Sequence, residues 1–195
     1  ALSLPRDITF GPNGRLEQRF VPELRVLRIA ETHEQLSSTE LTDGVPVWLK
    51  TAGRQLEISA RFQVTGNCSF GLYVLATKSL AEYTTIGVDI TDDLVFIDRR
   101  NSSGMNPIVP SRGVLDVRAG LLPAPDEALL SPPADGRIID IHAFIDGPIV
   151  TFIVSNETAL SVYVYPQLES SGDVALWTTG TKTGAVRGSA DVWQL

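Results

Sequence analysis

Residues 56–64 read Leu56-Glu57-Ile58-Ser59-Ala60-Arg61-Phe62-Gln63-Val64, with five apolar residues at one set of alternate positions and four polar residues at the other. Successive side chains of a β-strand point to opposite faces of the sheet. The alternation therefore predicts a strand that buries one face in a core and leaves the other in water.

Further strand patterns recur along the chain with turn residues between them. Thr91-Asp92-Asp93 and Asp146-Gly147-Pro148 have the composition of hairpin turns. No repeated helical pattern separates the strands, so we predict an all-β fold, an antiparallel two-sheet β-sandwich of the jelly-roll or concanavalin-like kind. The other predicted strands are 70–76, 85–90, 94–98, 114–118, 138–145, 149–154, 160–165, 174–178 and 190–194.

Two segments depart from the strand pattern. Residues 121–135 contain four prolines, which cannot donate to a central ladder, so we expect a long surface connection there. From about Pro22 to Ile29, apolar residues at Val21, Leu24 and Leu27 approximate one face of a helix. We predict one short linker helix in this place.

Charge and composition exclude several classes of partner and site. A net charge of -7 argues against a phosphate-backbone partner, so we expect no nucleic acid. No window approaches the roughly 18–20 apolar residues of a membrane-spanning helix, and we expect no membrane partner. Cys68 is the only cysteine, which excludes an internal disulfide and a zinc site of several thiolates. His33 and His142 have no ligand spacing, so we predict neither a metal nor a cofactor.

Three of the asparagines lie in N-glycosylation sequons. These are Asn67-Cys68-Ser69, Asn101-Ser102-Ser103 and Asn156-Glu157-Thr158. Asn67, Asn101 and Asn156 are therefore predicted glycosylation sites. Glycan acceptors favour a secretory route, and we expect a secreted, extracellular or vacuolar protein.

A set of ordered motifs covers most of the chain. It begins with a Pro-Arg pair among leucines and continues through a Leu-x-Gln, a Pro-Glu-Leu linker and four sandwich segments. In order, the motifs are Leu2 to Ile8, Leu16-Glu17-Gln18, Pro22 to Arg28, Phe70 to Ala76, Thr84 to Asp89, Asp98 to Gly104, and His142 to Asp146 leading to Tyr163-Val164-Tyr165-Pro166. Together they resemble the carboxy-terminal β-sandwich module of glycoside hydrolase family 32, the invertase, inulinase and fructan exohydrolase-like β-fructosidases.

The resemblance implies a division of the chain and a partner. Residues 1–29 would be the exit strand of a catalytic five-bladed propeller with its linker, and residues 30–195 the sandwich domain. The catalytic β-propeller domain of a β-fructosidase is then the expected partner, and we expect the chain to have been part of a longer protein. The Asp, Asp and Glu motifs of the family's active site do not occur, so we predict no catalytic residues and no enzyme activity for this chain alone.

The residues themselves give no reason to expect catalysis. Retaining glycoside hydrolysis needs two carboxyl groups about 5 Å apart, one of them a proton donor with a raised pKa. Asp89, Asp98 and Asp146 qualify only by chemical type, since each ends a predicted strand, where an aspartate more commonly caps a turn.

A sugar-binding role has six candidate residues. An aromatic platform could be provided by Tyr163, Tyr165, Trp177 and Trp193. Asp98 with Arg99 could provide the hydrogen bonds that vicinal hydroxyls accept. The structural alternative is that the aromatic side chains fill the core or face a neighbouring domain, and that Asp98-Arg99-Arg100 forms an ion-paired loop.

Three functional hypotheses remain open from the sequence. The first is a structural module that stabilises a β-fructosidase propeller and shapes its substrate cleft or an oligomer contact. The second is a stand-alone, lectin-like module that binds fructan or another carbohydrate. The third is one chain of a proteolytically nicked β-fructofuranosidase. An exposed apolar surface on one face would favour the first hypothesis, and a polar surface with a groove the second.

Overall fold

The computed structural model describes residues 4–11, 14–103, 114–118, 136–180 and 185–195. Strands dominate these residues, and the only helices among them are two short 3-10 helices, Pro22–Leu27 and Ala30–Thr32. The strands are β1 (Arg6–Phe10), β2 (Leu16–Phe20), β3 (Glu34–Glu40), β4 (Val47–Trp48), β5 (Gln55–Val64), β6 (Ser69–Ala76), β7 (Thr84–Asp89), β8 (Leu94–Asp98), β9 (Val114–Arg118), β10 (Arg137–Asp146), β11 (Ile149–Val154), β12 (Thr158–Tyr163), β13 (Asp173–Thr179) and β14 (Val186–Gln194).

Twelve of these strands form two antiparallel six-stranded sheets. The first sheet has the order β12-β11-β10-β5-β14-β3, and the second has the order β4-β13-β6-β7-β8-β9. Every pairing within them is antiparallel. The two sheets bury a common core, which confirms the predicted all-β sandwich.

The strand at residues 56–64 lies inside the first sheet, where β5 pairs with β10 on one side and β14 on the other. Its apolar residues are all buried, and Phe62 meets Phe70 of the second sheet with ring centroids 4.9 Å apart. Contacts of this kind join the inner faces of the sheets. The opposite face of β5 carries Glu57, Ser59, Arg61 and Gln63, as the alternation predicted.

The turns behave as their composition predicts. Asp146 pairs with Ile149 across Gly147, whose φ of 55° suits a residue without a side chain. Asp89 accepts hydrogen bonds from the backbone N–H groups of Thr91 and Asp92, which closes the hairpin between β7 and β8.

The linker helix is shorter and tighter than the sequence suggested. Residues Pro22–Leu27 form a 3-10 helix in which no residue is buried. No helix in the described part of the chain is long and apolar enough to cross a bilayer. The predicted proline-rich connection at 121–135 lies outside the described residues.

The hairpin of β1 and β2 forms a separate two-stranded sheet. Its base packs on the outer face of the first sheet, where Phe20 meets Phe144 edge to face at 4.7 Å and joins a small apolar cluster with Ile153. The Gln18 side chain donates to the Glu157 carbonyl at 2.7 Å. The hairpin and the linker helix therefore lie against one face of the sandwich.

Candidate docking surface and sugar-binding residues

The end of the β1–β2 hairpin that lies opposite Phe20 exposes apolar side chains. Phe10 and Leu16 are directly paired and therefore share a face, with exposed fractions of 80% and 53%. On the linker helix Val26 is also exposed, at 85%. We call the set Ile8, Phe10 and Leu16, which share one face of the hairpin, the amino-terminal apolar surface.

An isolated two-stranded hairpin is only marginally stable in water, and its outer edges present unpaired backbone groups. Among the described residues, β1 and β2 form ladders only with each other. The hairpin therefore belongs to neither six-stranded sheet and has an exposed apolar face. From β2, the Gln18 N–H donates to the Asn156 carbonyl of the sandwich.

A buried ion pair connects the linker to the sandwich. The Glu57 carboxylate is 1% exposed and accepts two hydrogen bonds from the Arg28 guanidinium, at 2.7 and 2.6 Å. The His142 Nε2 lies 2.8 Å from the same carboxylate. Burial alone would raise the pKa of Glu57, but the hydrogen bonds and charges of Arg28 and His142 outweigh it and lower the pKa to about 2. Glu57 is therefore an ionised anchor and is unsuited to donate a proton at neutral pH.

Trp193 extends this anchor along the outer face of the first sheet. The Arg28 guanidinium lies 3.7 Å from the centre of the indole, and the His33 ring stacks on it at 4.7 Å with an interplanar angle of 4°. His33 Nε2 also lies 2.8 Å from the Asp191 carboxylate. Arg28 and His33 therefore hold the segment that follows the linker helix against the first sheet.

A pocket of about 360 Å³ lies beneath the linker, between β2 and the outer face of the first sheet. Arg19 and Arg25 line it together with Glu57, His142 and Trp193. Glu57 and Trp193 contact Arg28, and His142 contacts Glu57, so these three lining side chains are already engaged in holding the linker.

The carboxylates at the strand ends have structural partners. The Arg100 guanidinium donates to the Asp98 carboxylate at 2.6 Å. Burial alone would raise the pKa of Asp98, but the hydrogen bonds and charge of Arg100 outweigh burial, so the pKa of Asp98 is lowered. Asp89 accepts from Ser69 Oγ at 2.6 Å as well as from its turn. No group of three or more potential metal ligands occurs in the residues that the structure describes.

The six sugar-binding candidates fall in three places. Arg99 Nη1 donates to the Tyr163 carbonyl at 3.5 Å, which brings Asp98 and Arg99 close to Tyr163 at the end of β12. Tyr163 is exposed, and its ring runs parallel to that of Tyr165 at a centroid distance of 6.1 Å.

The two tryptophans are separate from this group. Trp177 is 6% exposed on the outer face of the second sheet, where it stacks on Tyr73 at 5.6 Å. Trp193 contacts Arg28 and His33 on the first sheet. The role of all six residues in sugar binding stays a prediction.

The three sequon asparagines lie outside the sandwich core. Asn67 and Asn101 are exposed, and Asn156 is half-buried in the turn between β11 and β12. The Asn101 amide donates to the Tyr83 hydroxyl at 2.8 Å, and the Asn156 carbonyl accepts from Gln18 N. Glycosylation stays a prediction at each position.

Sequence reasoning did not find the anchor of Arg28, Glu57 and His142. Glu57 occupies a polar position of an alternating strand, which indicates a solvated side chain, and Arg28 and His142 lie 29 and 85 residues away from it in the chain. The one available signal was Arg28 itself, which ends the linker motif.

Solved structures with the same fold include three fungal and plant enzymes. A fructan 1-exohydrolase IIa of Cichorium intybus, in complex with 1-kestose, aligns with a TM-score of 0.77 and 18% identity over 99% of this chain and 40% of its own. An exo-inulinase of Aspergillus awamori aligns with a TM-score of 0.71 and 19% identity, over 99% of this chain and 35% of the inulinase. A fructosyltransferase of A. japonicus aligns with a TM-score of 0.75 and 14% identity, over 97% of this chain and 31% of the transferase.

The chain thus spans between 31% and 40% of the lengths of these three proteins. No curated protein matches it in sequence. The family model described as "Glycosyl hydrolases family 32 C terminal" matches residues 23–194, which is most of the chain and includes both sheets of the sandwich. The chain therefore belongs to the family of glycosyl hydrolase family 32 C-terminal domains.

Proposed function

We propose that this chain is a non-catalytic module that packs against the catalytic β-propeller of a β-fructosidase and stabilises it. The observation that carries the proposal is the amino-terminal apolar surface, in which Phe10 and Leu16 extend from a separate two-stranded sheet. Packing against a second domain would take these exposed apolar side chains out of water.

The linker supports the same function. Arg28 and His33 hold it against the sandwich, so a domain attached to the hairpin would be held in one orientation. A rigid connection is what a module needs in order to shape a substrate cleft or an oligomer contact, and both roles belong to this proposal. The chain spans 35% and 40% of the lengths of the exo-inulinase and the fructan 1-exohydrolase, so a protein of that size would have room for a second domain beside this one.

The test is reconstitution from separate chains. The propeller domain from the same source organism, produced without its own sandwich, is mixed with this chain and analysed by size-exclusion chromatography and thermal unfolding. We expect co-elution and a higher Tm for the propeller, because its exposed edge becomes covered.

Substitutions make the test specific. Phe10→Asp together with Leu16→Asp places two charges in the contact and should abolish co-elution. Val45→Asp is the matched control, since Val45 is an apolar residue that is 54% exposed outside the amino-terminal apolar surface. Equal loss with the control, or equal binding by all variants, would contradict the proposal.

A secretory or vacuolar location belongs to the same proposal. Asn67 and Asn101 are both exposed, so a glycosyltransferase could reach them. Expression in a eukaryotic secretory host, followed by mass measurement before and after glycan removal, tests it. A product of unmodified mass would exclude glycosylation of this chain.

A further inference from the structure

A second pocket lies away from the linker and shares no lining residue with the pocket beneath it. It measures about 240 Å³ and lies between the turn joining β10 to β11 and the segment that follows β12. Its lining residues are Arg54, Gly147, Pro148, Val164, Tyr165, Pro166 and Gln167. The pocket thus combines one aromatic ring, one guanidinium and one amide.

The aromatic wall is provided by Tyr165. Its side chain is 44% exposed, and its ring is held parallel to that of Tyr163, with an interplanar angle of 6°. The flanking Val164 is buried, and its N–H donates to the Pro148 carbonyl at 2.7 Å. These contacts fix the backbone on either side of the pocket.

The wall formed by Gln167 is fixed by a buried acid. Glu82 is 1% exposed, and its carboxylate accepts from the backbone N–H groups of Gln167 and Leu168, the latter at 2.9 Å. Ser171 Oγ donates to the same carboxylate at 2.7 Å. Because one buried carboxylate binds this surface segment at three residues, the segment is held in place, which lowers the entropy cost of binding a ligand.

Arg54 completes the site. Its Nη2 donates to the Leu168 carbonyl at 2.5 Å, which orients the guanidinium, and its own backbone carbonyl accepts from Gly147 N at 2.7 Å. A guanidinium has five N–H groups, so donors remain for a ligand.

We infer that this pocket binds one neutral sugar ring. Its volume is below the roughly 300 Å³ at the lower end for drug-sized ligands, so it fits a single ring better than a longer ligand. The apolar face of a sugar can pack on Tyr165, and its hydroxyl groups can accept from Arg54 and exchange hydrogen bonds with the Gln167 amide. No carboxylate lines the pocket, which disfavours a cationic ligand. The inference holds whether or not the amino-terminal apolar surface docks on a propeller.

The experiment is an NMR titration of the uniformly ¹⁵N-labelled chain with fructose, sucrose and glucose in separate series. At least one of these sugars should shift the backbone resonances of Gly147, Tyr165 and Gln167 in a saturable way. Absence of saturable shifts at these residues with all three sugars would overturn the inference.

Three variants distinguish a site from general weak contact. Tyr165→Ala should weaken binding about tenfold, because it removes the ring on which the sugar packs. Arg54→Gln tests the hydrogen bonds and should weaken binding in the same direction. Val45→Ala, which removes an exposed apolar side chain away from the pocket, should leave the affinity unchanged. If Tyr165→Ala and Arg54→Gln both bind as tightly as the unaltered chain, the sugar does not occupy this pocket.

Discussion

Glu57 combines a nearly inaccessible position with a negative charge that is retained at neutral pH. The charge persists because Arg28 satisfies both of its oxygens and His142 contacts one of them. Breaking a buried pair on one side is far more costly than breaking an exposed one, since the remaining charge has lost its hydration as well as its partner. Glu57 is therefore the buried charged contact of the linker on the first sheet, beside the ring contact of Arg28 with Trp193.

Replacement of Arg28 by alanine should destabilise the chain by about 3 kcal/mol, because it leaves the Glu57 carboxylate buried without its main partner. Arg61→Ala is the matched control on the same sheet, since its pair with Asp140 is exposed, and the expected cost is about 0–1 kcal/mol. Urea unfolding followed by circular dichroism measures both values. Equal costs for the two variants would show that the buried pair contributes no more than a surface pair.

Acid should remove the same stabilisation. The pKa of Glu57 is about 2 in the folded chain and 4.5 as its ordinary value. A lowered folded pKa adds stability above the unfolded value, and that stability is lost as the pH falls from about 5 towards 2. The shift corresponds to about 3 kcal/mol.

The measurement compares the unaltered chain with Glu57→Gln at several pH values. At pH 7 the unaltered chain should be the more stable, and the difference should shrink as the pH falls, because Glu57 becomes protonated. Other acids with lowered pKa values, such as Glu34 and Asp98, contribute equally to the stability of both proteins, so their contributions cancel in the difference between the two free energies of unfolding. A difference that stays constant down to pH 2 would contradict the assignment.

At the scale of elements, a pair of glycines lets two strands of the second sheet carry an aromatic layer. Gly71 of β6 lies opposite Gly87 of β7, and Trp177 lies over this position. A Cβ atom on Gly87 would come within 2.9 Å of the Trp177 ring and 3.0 Å of the Phe96 ring. The missing side chain of Gly87 leaves room for these two rings, and that of Gly71 allows the backbone of β7 to approach closely.

Gly71→Ala should therefore destabilise the sandwich by about 2–3 kcal/mol, as overpacking does at other buried positions. The added Cβ would collide with the backbone of β7, at the Ile86 carbonyl and 2.6 Å from the Gly87 Cα, and backbone atoms cannot move aside as a flexible side chain can. Gly66→Ala is the control, since nothing lies within 4 Å of its Cβ position. Thermal unfolding of the two variants should give a clearly lower Tm only for the first.

The strands that the sequence predicted are rich in apolar residues; burial alternates in β8, whereas β11 is buried at five of its six positions. Residues 94–98 and 149–154 coincide with β8 and β11, and 56–64 differs from β5 by one residue. The sequence did not predict β3, because this edge strand is polar and Leu36 is its one apolar residue. Its strand conformation depends on pairing with β14, which periodicity in its own sequence does not reveal. The 3-10 form of the linker could not be read either, because it depends on contacts with the sandwich.

At the scale of the whole molecule, distant parts of the chain are interleaved. β14, which contains residues near the end of the chain, lies between β5 and β3 in the first sheet. The linker anchor likewise needs Arg28, Glu57 and Trp193 in one place. The family resemblance predicted the sandwich and its partner domain, but the anchor arises only when these distant segments have paired.

The stacking of Arg28 and His33 on Trp193 also gives the chain its own optical reporter. An indole in contact with a guanidinium and an imidazole has a different fluorescence from one in water, so detachment of the linker would change the emission of Trp193. The chain has only three tryptophans, and replacing Trp48 and Trp177 by phenylalanine would leave this signal alone. The position of the linker could then be followed in real time while a partner domain binds, without any attached dye.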